Sequence, residues 1–256
     1  MNDAAPPLLL AGRVAVITGA SRARGIGLAT ARLFAQHGAR VALLDLDEGE
    51  AVVAAGALGP QHLGLGCDVR DAAACAAAVE RVRQWGGRID VLVNNAAITQ
   101  KRGLLEVTAD DFEQMVAIAL RGTFRMSQCV IPTMVQQGSG SIISISSMSA
   151  QQGGGVFGGS HYCAAKAGVL GFTRALAKEL GPDGIRANAV APGLIITDFS
   201  RTNRSDADKD ASAKDWPLAR AGRAVELASA CLFLASDLAS FVTGTTLDVN
   251  GGAHMR

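Results

Sequence analysis

The sequence predicts a doubly wound α/β fold: a mostly parallel sheet of seven strands with helices on both faces. Three observations carry that expectation. Apolar, β-branched runs recur along the 256 residues and alternate with helical patterns, as a βαβ succession requires. The first run leads into a glycine cluster that opens a helix, Thr18-Gly19 to Gly25-Ile26-Gly27, and the second ends in a carboxylate, Asp45.

Taken in order, residues 14–17 read as a strand, and a helix over 28–37 follows the glycine turn and stops at Gly38. The unpaired N–H groups at such a helix start suit a phosphate. Residues 40–44 form the second strand. Asp45 stands eighteen residues beyond Gly27, close to the spacing at which a carboxylate reaches a ribose 2′-hydroxyl. Helix 48–58, strand 63–67 running into Asp68-Val69, helix 72–85, and strand 90–93 running into Asn94-Asn95-Ala96-Ala97 continue the alternation. A longer helical stretch covers 110–137, and Pro132 is expected to kink or break it near its end. Strand 141–145, helix 162–180, strand 186–191, helix 226–235 and strand 246–249 lead to Asn250-Gly251-Gly252.

No linker or repeat interrupts this order, so residues 12–256 are expected to form one domain behind a loose tail, residues 1–11. The one compositional break is Ser200 to Lys214, polar, charged and almost without large apolar residues, ahead of Trp216-Pro217-Leu218. Such a stretch suits a disordered insertion or a mobile substrate lid.

Composition excludes several function classes. Hydrophobic residues make up 49% of the chain, ample for a sizeable core. Net charge is +1, from 24 basic and 23 acidic residues with no basic run, so neither nucleic acid nor a membrane surface is an expected partner. Five scattered cysteines without a Cys-x-x-Cys pair point to reduced, mostly buried thiols in a cytoplasmic protein. Four distant histidines give no metal spacing. No run reaches the roughly 18 apolar residues of a membrane span, and the apolar segment 6–11 lacks the basic flank of a signal peptide.

The chemistry gathers at His161-Tyr162-Cys163-Ala164-Ala165-Lys166, where Tyr162 is the only tyrosine of the chain. On a helix, residues four apart share a face, which puts phenol and ammonium side by side. A neighbouring cation favours phenolate and draws a tyrosine pKa down from about 10, making Tyr162 a candidate acid/base near neutral pH. His161 diverges from Tyr162 by about 100° and is expected at the pocket wall or against a neighbouring loop. Cys163 reads as a core thiol.

In order and spacing, Thr18-Gly19 with Gly25-Ile26-Gly27, Asp68-Val69, Asn94-Asn95-Ala96, Ser147, Tyr162 with Lys166, Pro192-Gly193 with Thr197, and Gly251-Gly252 resemble the landmarks of the short-chain dehydrogenase/reductase family. The resemblance spans residues 12–252. It implies a Rossmann fold, a nicotinamide cofactor, and interconversion of a secondary alcohol and a ketone: hydride joins or leaves carbon while a proton joins or leaves oxygen.

Residue by residue, it implies that the loop with Gly19, Ser21, Gly25, Ile26 and Gly27 takes the pyrophosphate and that Asp68 and Val69 hold the adenine. Asn95 and Ala96 would line the cofactor cleft together with Pro192 and Gly193. Ile195 and Thr197 would hold the carboxamide. Ser147 would bond the substrate oxygen, Tyr162 would exchange the proton, and Lys166 would bind the nicotinamide ribose and lower the Tyr162 pKa. A homotetramer built on helices 110–137 and 160–180 and on the last strand is implied as well.

Three departures from the family pattern stand out. Five residues, Ala20 to Arg24, separate Gly19 from Gly25, two more than is usual, and Arg22 or Arg24 could reach a phosphate. Ser147 lies fifteen residues before Tyr162, whereas Ser149 falls at the usual thirteen; Ser147 is preferred because it follows the 143–146 strand end directly, leaving the extra length to the glycine-rich loop 153–159. Relatives usually carry an asparagine where this chain has Ala119, and alanine cannot hold the water that relays protons to the lysine.

Asp45 would repel a 2′-phosphate, favouring NAD(H) over NADP(H), while Arg22 and Arg24 pull the other way. NAD is the expected cofactor. The expected substrate is a small molecule, a 3-oxoacyl thioester, sugar or cyclic alcohol. The competing reading is a catalytically weak NAD-binding sensor or scaffold, supported by Ala119. A Rossmann-like methyltransferase leaves Tyr162, Lys166 and the Asn94 turn unexplained.

Overall fold

The computed structural model describes residues 8–154, 158–199 and 205–255. Its strands are β1 (Val14–Thr18), β2 (Arg40–Asp45), β3 (Leu63–Gly66), β4 (Val91–Asn94), β5 (Gly140–Ile145), β6 (Ile185–Pro192), the short pair β7 (Ile195–Ile196) and β8 (Gly222–Arg223), and β9 (Thr246–Val249). Seven of them form one sheet in the order β3-β2-β1-β4-β5-β6-β9, parallel throughout.

The helices are α1 (Ile26–Gln36), α2 (Glu48–Gly56), α3 (Ala72–Gly86), α4 (Ala109–Val116), α5 (Gly122–Gln137), α6 (Ser149–Gln152), α7 (Ser160–Leu180), α8 (Asp206–Ala211) and α9 (Ala224–Ala235). They cover both faces because the strands are apolar on both. Along β1, Ala15 and Ile17 join a core with Phe34 of α1 and Leu227 of α9. Val14 and Val16 join the opposite core with Val79 of α3, Met126 of α5 and Leu176 of α7. Successive side chains of a strand point to opposite faces, so an unbroken apolar run is what a twice-covered strand needs.

Several expected boundaries move for identifiable reasons. Asp90 precedes β4 instead of opening it; its buried carboxylate accepts the Val14 N–H at 2.8 Å and pairs with Arg88 at 2.6 Å. Helix α7 begins at Ser160, so Tyr162 lies within its first turn. Pro132 does not break the long helix: α5 runs past it to Gln137 and ends at Gly138 in the left-handed region. The buried Met126, Val130 and Met134 anchor that helix on either side of the lost hydrogen bond. The discontinuity lies upstream, in a π turn, Ala117–Arg121, where the Gly122 N–H reaches back to the Ala117 carbonyl.

Parts of three expected features lie outside the described residues: 1–7 of the tail, 155–157 of the glycine-rich loop and 200–204 of the polar stretch. The rest of the polar stretch is held in place. Ser205 caps α8 by accepting the Asp208 N–H at 3.1 Å, and buried Lys209 donates to the Thr197 carbonyl at 2.7 Å. Among the described residues no helix is long and apolar enough to cross a membrane.

The start of α1 packs without room for a side chain at Gly27. A Cβ there would press on the Gly19 carbonyl and lie 2.8 Å from Asn95 Nδ2. Gly27→Ala is expected to cost roughly 1–3 kcal/mol, read as a lower urea midpoint. Gly171→Ala, on an exposed position of α7 with open space around it, should instead be neutral or stabilise by up to about 1 kcal/mol.

Candidate active site

The sheet reverses its winding between β1 and β4: one half of the chain proceeds outward through β2 and β3, the other through β5, β6 and β9. Strand ends at such a point lose neighbours, and their backbone groups need other partners. Thr18 and Asn95 supply them. Asn95 Nδ2 donates to the Thr18 and Gly19 carbonyls at 3.0 and 2.8 Å, and Thr18 Oγ accepts the N–H groups of Asn95 and Ala96, each at 3.0 Å. Gly19 takes φ +64° and would place a Cβ 2.9 Å from Ala96 Cα, so only glycine permits this approach.

Beyond the clamp opens a cleft of about 680 Å³ at the C-terminal strand ends. Every expected site residue lines it except Ser21, Arg24 and Gly27. Gly27 is buried behind the loop. Ser21 binds Asp45: its N–H and Oγ donate to Asp45 Oδ2 at 2.9 and 2.8 Å. Arg24 turns to Asp206 at 2.6 Å and faces Asp198 at 3.6 Å, while Arg22 donates weakly to the Asp198 carbonyl at 3.5 Å. The lengthened loop therefore reaches across to the segment leading into α8. Asp68 pairs with Arg70 at 2.7 Å, and Arg70 holds its carboxyl below the usual range.

At the other end lie Ser147, Tyr162 and Lys166. Ser147 follows β5 in the expected place, and its Oγ accepts the Ser149 N–H at 3.1 Å. Tyr162 is hydrogen-bonded with Ser147, which draws its pKa down, yet burial dominates and pushes it up to about 12. This reverses the direction the four-residue spacing suggests. The physical reason is that the phenol is itself enclosed; Lys166 is buried as well, where desolvation lowers its pKa to about 8 and its Nζ donates to the Ile145 carbonyl at 2.6 Å. Ala119 packs against Tyr162, Met115 and Ala165 in a small apolar cluster and offers no polar group there.

His161 faces a neighbouring loop, as its angle from Tyr162 implies. Gln100 donates through Nε2 to Asp111 Oδ1 at 2.7 Å, which turns its Oε1 to His161 Nε2 at 2.9 Å. The Nε2 therefore carries the proton, and Nδ1 is left a buried acceptor without a partner among the described residues. Burial lowers the His161 pKa. Gln100, Asp111, Gln114, Phe199 and Trp216 also line the cleft. They come from loops and a helix face with no spacing pattern, and only Trp216, noted after the polar stretch, carried any advance signal.

The chain as a whole is similar to known proteins. A family model described as enoyl-(acyl carrier protein) reductase matches residues 19–254. A short-chain type dehydrogenase/reductase of Sinorhizobium fredii, y4mP, is 51% identical over 249 residues, covering 96% of this chain and 98% of the relative. The 3-oxoacyl-[acyl-carrier-protein] reductase FabG of Escherichia coli is 40% identical over 244 residues, covering 95% and 98%. The crystal structure of a short-chain type dehydrogenase/reductase from Mycobacterium marinum superposes with a TM-score of 0.90 at 34% identity, covering 97% of this chain and 98% of that one.

Burying an ammonium at position 166 has a testable cost. Its pKa is about 8 in the fold against about 10.4 when solvated. Below pH 8 the folded state carries the full desolvation penalty; as pH rises toward 10.4 the unfolded chain holds the extra proton and the penalty fades. The stability of Lys166→Met relative to wild type should therefore fall by on the order of 3 kcal/mol between about pH 8 and pH 10.4, measured by urea unfolding across that window. A pH-independent difference would show that Lys166 is not desolvated as described.

Proposed function

This chain belongs to the short-chain dehydrogenase/reductase family, and we propose that it interconverts a ketone and a secondary alcohol with NAD(H) at the cleft between β1 and β4. It is an oxidoreductase that uses a nicotinamide cofactor. The observation that carries the ketone reading is the meeting of two hydroxyls, Ser147 and Tyr162, in the cofactor cleft, one helical turn from a buried ammonium. Such a pair suits a substrate oxygen. The family model's description names reduction of an enoyl group, and the relatives' names that of a 3-oxoacyl group; the paired hydroxyls favour the latter. A 3-oxoacyl thioester is the first substrate to try, ahead of sugars and cyclic alcohols.

The cofactor fits the chain's own features. The glycine turn packs against Asn95 and Ala96 with no room for a Cβ at Gly19 or Gly27, and Gly19, Gly25 and Ile26 at the N-terminus of α1 line the cleft beside it. Asp68 and Val69 would bound the adenine, Ile195 and Thr197 the carboxamide, and Lys166 the nicotinamide ribose. When bound, the nicotinamide supplies or accepts the hydride.

Ser147 accepts the Ser149 N–H, which orients its hydroxyl, and its proton would turn from Tyr162 to the substrate oxygen. A tyrosine pushed up to about 12 is protonated at neutral pH, the state needed to give a proton to the oxygen in reduction. Oxidation requires the phenolate and gains with rising pH. The Lys166 ammonium, present below about pH 8, favours negative charge developing on Tyr162. NAD over NADP is supported by Asp45, which lines the cleft, and by Arg24, which is occupied by Asp206.

Assembly as a tetramer is part of the same proposal. Phe112 on α4 and Phe124 on α5 are partly exposed, and light scattering would read the state.

Tyr162→Phe is expected to lower turnover by about 10²–10⁴-fold while NADH still binds, followed by NADH absorbance with 3-oxoacyl thioesters and a panel of ketones. Full activity in that variant would falsify the mechanism. A wild-type protein that binds NADH tightly and turns over none of the panel would favour the sensor reading.

A further inference from the structure

We infer that Glu50 is a second cofactor-specificity residue, taking over the Ser21 hydroxyl when Asp45 engages a ribose and adding its charge against a 2′-phosphate. The inference rests on the NAD reading above and deepens it.

Ser21 Oγ carries one proton and has two carboxylates within reach, Asp45 Oδ2 at 2.8 Å and Glu50 Oε2 at 3.1 Å. Asp45 is already heavily used: Oδ2 also accepts the Ser21 N–H at 2.9 Å, and Oδ1 accepts the Leu46 N–H at 2.8 Å. A carboxylate oxygen has about two good acceptor sites. A ribose hydroxyl that donates to Oδ2 must therefore displace the Ser21 hydroxyl, which can turn to Glu50 without leaving the loop. Ser21 thus remains fastened by its N–H to Asp45 and by its O–H to Glu50, and the lengthened glycine loop keeps its place.

Glu50 is well placed for this role. It lies in the first turn of α2, where its N–H donates to the capping carboxylate of Asp47 at 3.0 Å, and an acidic side chain there is favoured by the helix dipole. The corner is also uncompensated. Among the described residues neither Asp45 nor Glu50 is in an ion pair, and the cations of the loop are directed elsewhere, Arg24 to Asp206 and Arg22 to the Asp198 carbonyl. Two carboxylates converging on one hydroxyl make a corner that accepts hydroxyl donors and repels a phosphate, which carries nearly two charges at neutral pH.

The test is calorimetric titration of NADH and NADPH into wild type, Glu50→Gln, Glu50→Asp and Asp45→Asn. Glu50→Gln is expected to reduce the Kd ratio of NADPH to NADH about tenfold, with Glu50→Asp restoring most of the wild-type ratio. Asp45→Asn should reduce it more. Raising the salt should shrink the wild-type ratio more than that of Glu50→Gln, because the Glu50 charge is exposed and screened over about 10 Å at 0.1 M. The wild-type ratio tests the NAD reading alone: a preference for NADPH overturns it. The change on Glu50→Gln tests Glu50 alone. An unchanged ratio, whether both affinities hold or both weaken together, shows a purely structural residue or none and overturns the inference. Glu50 is exposed and the Asp47 cap is retained, so the variant folds.

Discussion

The clamp between Thr18 and Asn95 is the contact on which the rest of the molecule depends. Where the sheet changes winding direction, two strands leave their ladders together, and four hydrogen bonds from two side chains and two backbone N–H groups close the gap. They draw Gly19 against Ala96, which sets the mouth of the cleft and the start of α1 at once. The cleft exists because the strands diverge there; it stays open, and not collapsed, because the clamp satisfies the polar backbone groups locally.

The second constraint is burial at the reaction end. Tyr162 and Lys166 share a face of α7, as their spacing requires, but both are enclosed. In that setting desolvation outweighs their mutual influence: the phenol is driven up and the ammonium down. The spacing predicts proximity correctly and the direction of the tyrosine shift wrongly, because a spacing rule carries no information about solvent. A protonated Tyr162 beside Ser147 is already in the state that reduction uses.

The lengthened glycine loop shows the same division. Its two extra residues and two arginines are plain in the sequence, and a phosphate is the natural partner for either. In the fold, Arg24 finds Asp206, a residue 182 positions away, and Ser21 finds Asp45 and Glu50. The elements themselves were largely legible, since strands covered on both faces are written as unbroken apolar runs and each glycine turn sits at a strand end. Pro132 misled because propensity is local: a helix packed through Met126, Val130 and Met134 tolerates one missing hydrogen bond.

By itself the sequence determined the alternation of apolar strands and helices, the glycine turn, and the placing of Tyr162 and Lys166 on one helix, all of which depend on patterns of residues near one another in the chain. Only the tertiary structure decided the π turn at Ala117–Arg121, the tautomer of His161, the partner of Arg24 and the wall formed by Gln100, Asp111 and Gln114. Each of these rests on groups brought together from distant segments, and on how much water their meeting excludes. Distance along the chain predicts neither.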